Sequence, residues 1–190
     1  MTPPLLGAVL CGGKSSRMGT DKANLAHPTG VSYLQYSYQR LTHVCDKVVI
    51  SGNSPRSGNS PHSDYEIVPD MLCERGPAAG VAAVLQYARA NRFDACCITP
   101  VDMPDLTVDD LVTMHQKWLA HPEQTVCGIS QSDARLQPLV AIYPAAFLED
   151  LTQLANSKDR SLHRWIASRP HETLSLTSES CRNVNRPEDI

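Results

Sequence analysis

The chain has 190 residues, of which 42% are hydrophobic and 19% are charged, and its formal net charge is −3. This size and composition are typical of one globular domain with a buried core, and we assign residues 1–190 to it. The slightly acidic balance argues against a nucleic-acid partner, because nucleic-acid-binding proteins usually present a basic surface. A small anionic ligand is still compatible with this charge, since a few basic residues in one loop would bind it.

Cysteine usage and the N-terminal residues predict a cytoplasmic location. The seven cysteines are odd in number and include no Cys-x-x-Cys pair, which favours reduced thiols over a disulfide framework or a zinc site. Cys96 and Cys97 are adjacent on a predicted strand, so they should point to opposite faces of the sheet. The first residues lack the basic and apolar regions of a signal peptide. No apolar stretch approaches about 18 residues, so we expect no contact with a membrane.

Short apolar runs alternate with helical patterns along the chain. The first run, residues 5–11, ends at two glycines and is typical of a buried parallel strand. The next predicted elements are a helix at 32–44, strands at 47–51 and 65–68, a helix at 77–90, a strand at 94–99, a helix at 107–120, strands at 125–130 and 138–143, a helix from 144, and a short helix at 162–168. This alternation predicts a three-layer α/β/α fold, a mostly parallel Rossmann-like sheet covered by helices on both faces.

The helix predicted at 107–120 is amphipathic. Its buried face should carry Val108, Leu111, Val112 and Leu119. His115 falls beside this face, which favours a core or boundary histidine over a metal ligand.

The segment from residue 10 to residue 25 carries the strongest functional signal. It follows the first predicted strand, at the edge of the sheet where open α/β folds bind ligands. Glycines at positions 12, 13 and 19 would let backbone N–H groups approach phosphate oxygens. Lys14, Arg17 and Lys22 bring positive charge to the same loop. The segment therefore predicts a site for a nucleoside triphosphate.

Two common phosphate-binding loops do not fit this segment. A Walker A loop would need a lysine where Gly13 stands, and the order Gly12-Gly13-Lys14 breaks the Gly-x-Gly-x-x-Gly pattern of dinucleotide-binding folds. A glycine-rich turn with solvated charges is the remaining structural alternative. It does not explain why Gly-Gly, Ser-x-Arg-Met-Gly and Asp-Lys occur together at fixed spacing.

The segment resembles the signature of the sugar-nucleotidyltransferase-like superfamily, which reads approximately Leu-x-Gly-Gly-x-Ser-x-Arg-Met-Gly-x-Asp-Lys. The double glycine and the pair Asp21-Lys22 are most similar to the molybdenum cofactor guanylyltransferase (MobA) family. Further matching blocks follow in the family's order as far as Ile190. The resemblance implies that GTP is contacted by Leu10, Cys11, Gly12, Gly13 and Lys22.

Asp102 is the predicted metal ligand. It lies in Thr-Pro-Val-Asp-Met-Pro-Asp, just beyond the strand predicted at 94–99. A carboxylate at this strand end can reach the first loop and hold Mg²⁺ against the phosphates. By itself Asp102 also fits a turn, but it resembles the aspartate of the family's Pro-x-Asp-x-Pro block, which binds the metal. Asp105 is instead predicted to be a turn or helix-start residue.

The resemblance also implies contacts to the nucleoside and to the acceptor. Asp70 follows the third predicted strand, where the family places an aspartate near the nucleoside, and Ser51 falls where the family has an asparagine. The ending Asn-Val-Asn-Arg-Pro-Glu-Asp is similar to the family's last block. Asn183 is therefore expected near the acceptor, and Asn185 near Mg²⁺ or its waters.

The second half of the chain carries weaker signals. The sequence from Gln137 resembles a family strand written His/Gln-Pro-x-x-Ala. Arg160 and Arg164 flank a predicted helix start, and two interpretations stay open for them. They could receive the anionic phosphate of a pterin acceptor, or they could form a solvated basic face.

Together these observations predict a Mg²⁺-dependent nucleotidyltransferase whose catalytic residues are Arg17, Lys22 and Asp102. The resemblance implies transfer of GMP from GTP to molybdopterin or Mo-molybdopterin, with release of pyrophosphate. Residues 1–106 would bind the nucleotide and residues 107–190 the acceptor, and molybdoenzymes or their chaperones would be further partners. The first alternative is a cytidylyl- or sugar-nucleotide transferase on the same fold. Relatives that use CTP more often have Ala-Ala-Gly at the start of the loop, which favours guanine here. The second is a non-catalytic nucleotide-binding module, which would not need the three catalytic side chains.

Overall fold

The structure is a computed structural model that describes residues 2–11, 26–52, 65–69 and 76–184. Its strands are β1 (Leu5–Leu10), β2 (Lys47–Ser51), β3 (Ile67–Val68), β4 (Ala95–Pro100), β5 (Thr125–Ser130), β6 (Leu136–Pro144) and β7 (His171–Leu176). Its helices are α1 (Tyr33–Thr42), α2 (Pro77–Ala90), α3 (Val108–Ala120), α4 (Leu148–Asn156) and α5 (Leu162–Ala167), and a 3-10 turn, Ala145–Phe147, precedes α4. None of the helices in these ranges is long and apolar enough to cross a membrane.

The strands form one sheet in the order β3-β2-β1-β4-β6-β5-β7. All neighbouring strands are parallel except β6, which runs antiparallel between β4 and β5. The predicted mostly parallel sheet is therefore confirmed. The reversal of β6 has a simple cause, because the connection at residues 131–135 is too short for the crossover that a parallel partner would require.

Helices cover both faces of the sheet, as predicted. α2, α4 and α5 pack on one face, and α1 and α3 pack on the other. Successive strand residues alternate between these two cores. Cys96 belongs to the first core and Cys97 to the second, which confirms the prediction that they point in opposite directions. The six cysteines in the described ranges are all reduced thiols.

The buried face of α3 differs from the prediction. Leu111, Met114 and Trp118 are buried, whereas Val112 and Leu119 are 37% and 39% exposed. Positions 111, 114 and 118 follow the i, i+3, i+7 spacing, so they form one stripe along the helix. The prediction is confirmed for Leu111 and wrong for Val112 and Leu119, because it gave weight to β-branched and leucine side chains and left out the large apolar surface of the tryptophan.

The strand β7 was not predicted from the sequence. Its residues, His-Glu-Thr-Leu-Ser-Leu, contain only two buried side chains, Leu174 and Leu176. Among the described strands, β7 pairs only with β5 and lies at one edge of the sheet. A half-buried edge strand gives a weak apolar pattern, which explains the omission.

Candidate functional site

The first four parallel strands end at one edge of the sheet, and backbone hydrogen bonds join the residues that follow them. The Cys11 N–H donates to the Ser51 carbonyl oxygen at 2.8 Å, beyond the end of β1. On the other side, the Val101 N–H donates to the Leu10 carbonyl oxygen at 3.3 Å. The start of the first loop is thereby held between the ends of β2 and β4. This arrangement places Leu10 and Cys11 directly beside the segment that contains Asp102.

Three of the predicted nucleotide contacts, Leu10, Cys11 and Ser51, lie at this edge. The side chain of Leu10 is buried in the core, so only its backbone is available to a ligand. Cys11 is half-buried at the end of the strand. Ser51 is 1% exposed, and its Oγ has no hydrogen-bond partner among the described residues. The predicted contact of Ser51 with the nucleoside stays a prediction, because this hydroxyl is enclosed by protein.

The last part of the chain returns to the same edge and meets Asp102. The Val184 N–H donates to the Asp102 carbonyl oxygen at 2.8 Å, which brings Asn183 beside the predicted metal ligand. A second contact supports the first, because the Arg182 Nε donates to the Asp105 carboxylate at 2.6 Å. Asp105 was predicted to be a turn or helix-start residue, and the structure adds this ion pair to the C-terminal segment.

A cleft of about 610 Å³ opens at this edge. Its walls come from both halves of the chain: Pro77, Pro100, Asp102, Met103, Asp133, Arg135, Leu136, Gln137, Pro138, Leu139, Val140, Arg160, Ser161, Leu162, His163 and Asn183. Pro77 is the first residue of α2, so the positive end of that helix dipole lies at the cleft wall. The cleft therefore combines two carboxylates, Asp102 and Asp133, with basic and amide groups that suit an anionic molecule.

The direction of β6 brings its first residues into the cleft. Because β6 is antiparallel to β4, it begins where β4 ends. The hydroxyl of the buried Tyr143 donates to the Pro138 carbonyl oxygen at 2.7 Å, which fixes the backbone beside Gln137. Burial raises the pKa of Tyr143 well above its ordinary value, so this hydroxyl remains a donor.

The two arginines whose role the sequence left open are in different positions. Arg160 lines the cleft, beside Ser161. Arg164 forms an exposed ion pair with Asp159, and this contact lowers the pKa of the aspartate. Arg164 is therefore already paired, whereas Arg160 lines the cleft.

Two further basic residues, Arg135 and His163, line the cleft and were not predicted from the sequence. Arg135 comes one residue before β6 and reaches this edge because β6 runs antiparallel. Only knowledge of the strand direction could have identified it.

Six of the predicted site residues lie outside the described residues: Gly12, Gly13, Arg17, Lys22, Asp70 and Asn185. Their predicted roles stay predictions. In the described ranges, no group of three or more His, Cys, Asp or Glu side chains is arranged to hold a metal ion. Mg²⁺ bound with nucleotides commonly takes only one or two protein carboxylates, with phosphate oxygens and water as its other ligands, so a magnesium ion at Asp102 does not require such a group.

Comparison with known proteins agrees with this geometry. A family model described as the MobA-like NTP transferase domain matches residues 7–173. A protein of Rhodopirellula baltica named probable molybdenum cofactor guanylyltransferase is 41% identical, over 99% of this chain and 90% of its own length. A molybdenum cofactor guanylyltransferase of Rhodopseudomonas palustris is 29% identical, over 99% of this chain and 91% of its own length.

A solved structure provides an independent comparison of the fold. The molybdopterin-guanine dinucleotide biosynthesis protein A of Archaeoglobus fulgidus superimposes with a TM-score of 0.71 at 19% identity, and the match covers 97% of this chain and 94% of that one. The α/β nucleotidyltransferase fold and the predicted family are both confirmed. The chain belongs to the MobA-like NTP transferase domain family, a family of nucleotidyltransferases.

Proposed function

We propose that this chain transfers GMP from GTP to molybdopterin or Mo-molybdopterin and releases pyrophosphate. The observation that carries the proposal is the contact between the Asp102 segment and the C-terminal segment, which places Asp102 and Asn183 in one cleft beside the start of the first loop. The names of the two guanylyltransferase relatives support the same substrates.

The proposed reaction requires positioning more than covalent chemistry. An oxygen of the acceptor phosphate attacks the α-phosphorus of GTP, a new O–P bond forms, and the bond to the pyrophosphate oxygen breaks in line with it. The attacking phosphate is already ionised, so no side chain needs to remove a proton. Arg17 and Lys22 are proposed to stabilise the charge that develops on the pyrophosphate, and alignment of the two substrates supplies much of the rate enhancement.

We propose that Asp102 holds Mg²⁺. The residues fit this ion, because the Asp102 carboxylate at an open cleft leaves other coordination positions to phosphate oxygens and water. Asn185 is proposed to contact the ion or its waters. When bound, Mg²⁺ would supply positive charge that offsets the charge of the phosphate oxygens.

The division of the chain into two binding halves is also a proposal. Residues 1–106 would supply the nucleotide contacts, with Ser51 and Asp70 on the nucleoside. Residues 107–190 would supply the acceptor contacts. Asn183 and Arg160 are our candidates, because both line the cleft and an arginine suits the acceptor phosphate.

The proposed setting is the cytoplasm, where reduced thiols such as those of the six described cysteines are stable. Molybdoenzymes or their chaperones are the proposed recipients of the product.

A single labelling experiment tests the proposed reaction. The protein would be incubated with molybdopterin, Mg²⁺ and either GTP or CTP labelled at the α-phosphate. We expect the label from GTP to enter the pterin product and the label from CTP to remain in the nucleotide. Transfer from CTP would instead indicate a cytidylyltransferase, and no transfer from either nucleotide would refute the proposed acceptor. Asp102→Asn, which is nearly isosteric, should remove most turnover from a folded protein.

A further inference from the structure

Arg40 has no place in the reaction described above, yet its position in the fold is unusual. It lies on α1 and is 4% exposed, and it is the one charged side chain among the buried residues of the described ranges. Burial of a cation is expensive unless hydrogen bonds compensate for the lost water. Here the burial lowers the pKa of Arg40 to about 10, which still leaves the guanidinium charged at neutral pH.

The compensating hydrogen bonds converge on one short loop. One terminal nitrogen of Arg40 donates to the Pro104 carbonyl oxygen at 2.7 Å and to the Leu106 carbonyl oxygen. The other donates to the Met103 carbonyl oxygen at 3.1 Å and to the Ser37 Oγ at 3.1 Å. Three carbonyl groups of the segment 103–106 are therefore held by one planar side chain.

This loop follows Asp102 directly. The segment between β4 and α3 belongs to no helix or strand, so its carbonyl groups lack the regular partners that a helix or sheet would provide. Arg40 supplies those partners from one side. On the other side, the Val184 N–H donates to the Asp102 carbonyl oxygen at 2.8 Å. The backbone that carries the Asp102 carboxylate is thus fixed at both ends of the loop.

Arg40 also connects to the residues that follow the first loop. Its guanidinium lies over the ring of Tyr36, 4.9 Å from the ring centroid. The ring of His27 stacks on the same tyrosine, with centroids 3.8 Å apart and planes 14° apart. His27 comes soon after Lys22 in the chain. Arg40 therefore occupies the junction between the segment that leaves the predicted phosphate loop and the segment that carries the predicted metal ligand.

We propose that Arg40 is a positioning residue for nucleotidyl transfer, which acts by holding the 103–106 carbonyl groups so that Asp102 presents its carboxylate to the metal ion. This inference rests on the proposed role of Asp102. Residues that orient a metal ligand through hydrogen bonds are often as necessary as the ligand itself, and their substitution typically lowers metal affinity or activity about 10- to 100-fold. A lysine at position 40 would keep the charge but could not bond to three carbonyl groups in one plane.

The experiment compares Arg40→Lys and the milder Ser37→Ala with the wild-type protein. Ser37→Ala removes one hydrogen-bond acceptor of the Arg40 guanidinium. It therefore tests the role of that guanidinium even if the Arg40→Lys protein does not fold. Arg89→Lys is the matched control, because Arg89 is an exposed arginine on α2 whose guanidinium pairs with Glu149. Mn²⁺ binding to the protein–GTP complex, followed by electron paramagnetic resonance, would be measured together with kcat, the KM for GTP and thermal stability.

We expect Arg40→Lys to weaken Mn²⁺ binding and to lower kcat about tenfold or more, with the KM for GTP within about twofold of wild type. Ser37→Ala should move both quantities in the same direction by a smaller factor, and Arg89→Lys should match the wild type. Wild-type Mn²⁺ binding and kcat in a folded Arg40→Lys or Ser37→Ala protein would overturn the inference, even if its melting temperature fell. Asp102→Asn separates the two proposals. Wild-type Mn²⁺ binding in that variant would refute the metal role of Asp102 itself. If Asp102→Asn lost Mn²⁺ binding while the Arg40 and Ser37 variants kept it, only the role of Arg40 would be refuted.

Discussion

Replacing Asn183 with alanine should weaken the use of the acceptor and leave GTP binding intact. Asn183 is exposed and lines the cleft beside Asp102. Because the side chain is exposed in the folded protein, its removal should change the free energy of unfolding by no more than about 0.5 kcal/mol. With the acceptor bound, loss of one polar contact should cost about 1–3 kcal/mol. That range corresponds to an increase of about 5- to 150-fold in the KM for the acceptor.

The assay combines calorimetric titration with GTP and steady-state kinetics in each substrate. Lys22→Ala should weaken GTP binding and transfer together, because its charge is predicted to meet the triphosphate. Asn156→Ala is the control, since Asn156 is an exposed asparagine at the end of α4 whose amide donates to the Thr152 carbonyl oxygen. If Asn183→Ala abolished GTP binding as Lys22→Ala does, the C-terminal segment would belong to the nucleotide pocket and the reasoning would fail.

Two further predictions concern pH and the thiols. Burial lowers the pKa of His115 below its ordinary value of 6.5, so the unfolded chain binds more protons in the interval between the two values, and stability should decline as the pH falls through about 6.5. The variant His115→Phe keeps a ring beside Trp118 but cannot bind a proton. Between about pH 7.5 and about pH 5.5, its free energy of unfolding from urea titrations should fall less than that of the wild type, and equal falls would contradict this prediction. The seven cysteines should give seven thiols that react with Ellman's reagent in unreduced, denatured protein, and a lower number would indicate a disulfide. Burial raises the pKa of Cys96 and Cys127, so these two should stay unreactive until the protein unfolds.

The sequence alone determined the features that depend on residues close together along the chain. The apolar run before Gly12 and Gly13 identified β1 and the loop after it, because a buried strand and a glycine turn both have local signatures. Asp102 was placed correctly at the end of β4, since the strand pattern ends just before it. The predicted position of the site at one sheet edge followed from the alternation of strands and helices. The family resemblance added the identity of the reaction.

The tertiary structure alone decided which distant residues meet. The contact between Asp102 and Val184, the arrival of Arg135 at the cleft and the convergence of Arg40 on the 103–106 loop all depend on strand order and direction. No local pattern predicts these pairings. The apolar periodicity of a segment indicates which of its residues are buried, but it does not indicate which distant residues they contact. Arg40 illustrates the limit most clearly. In the sequence it is an ordinary polar position on an amphipathic helix. Its burial follows only from contact with a loop that lies 63 to 66 residues later in the chain.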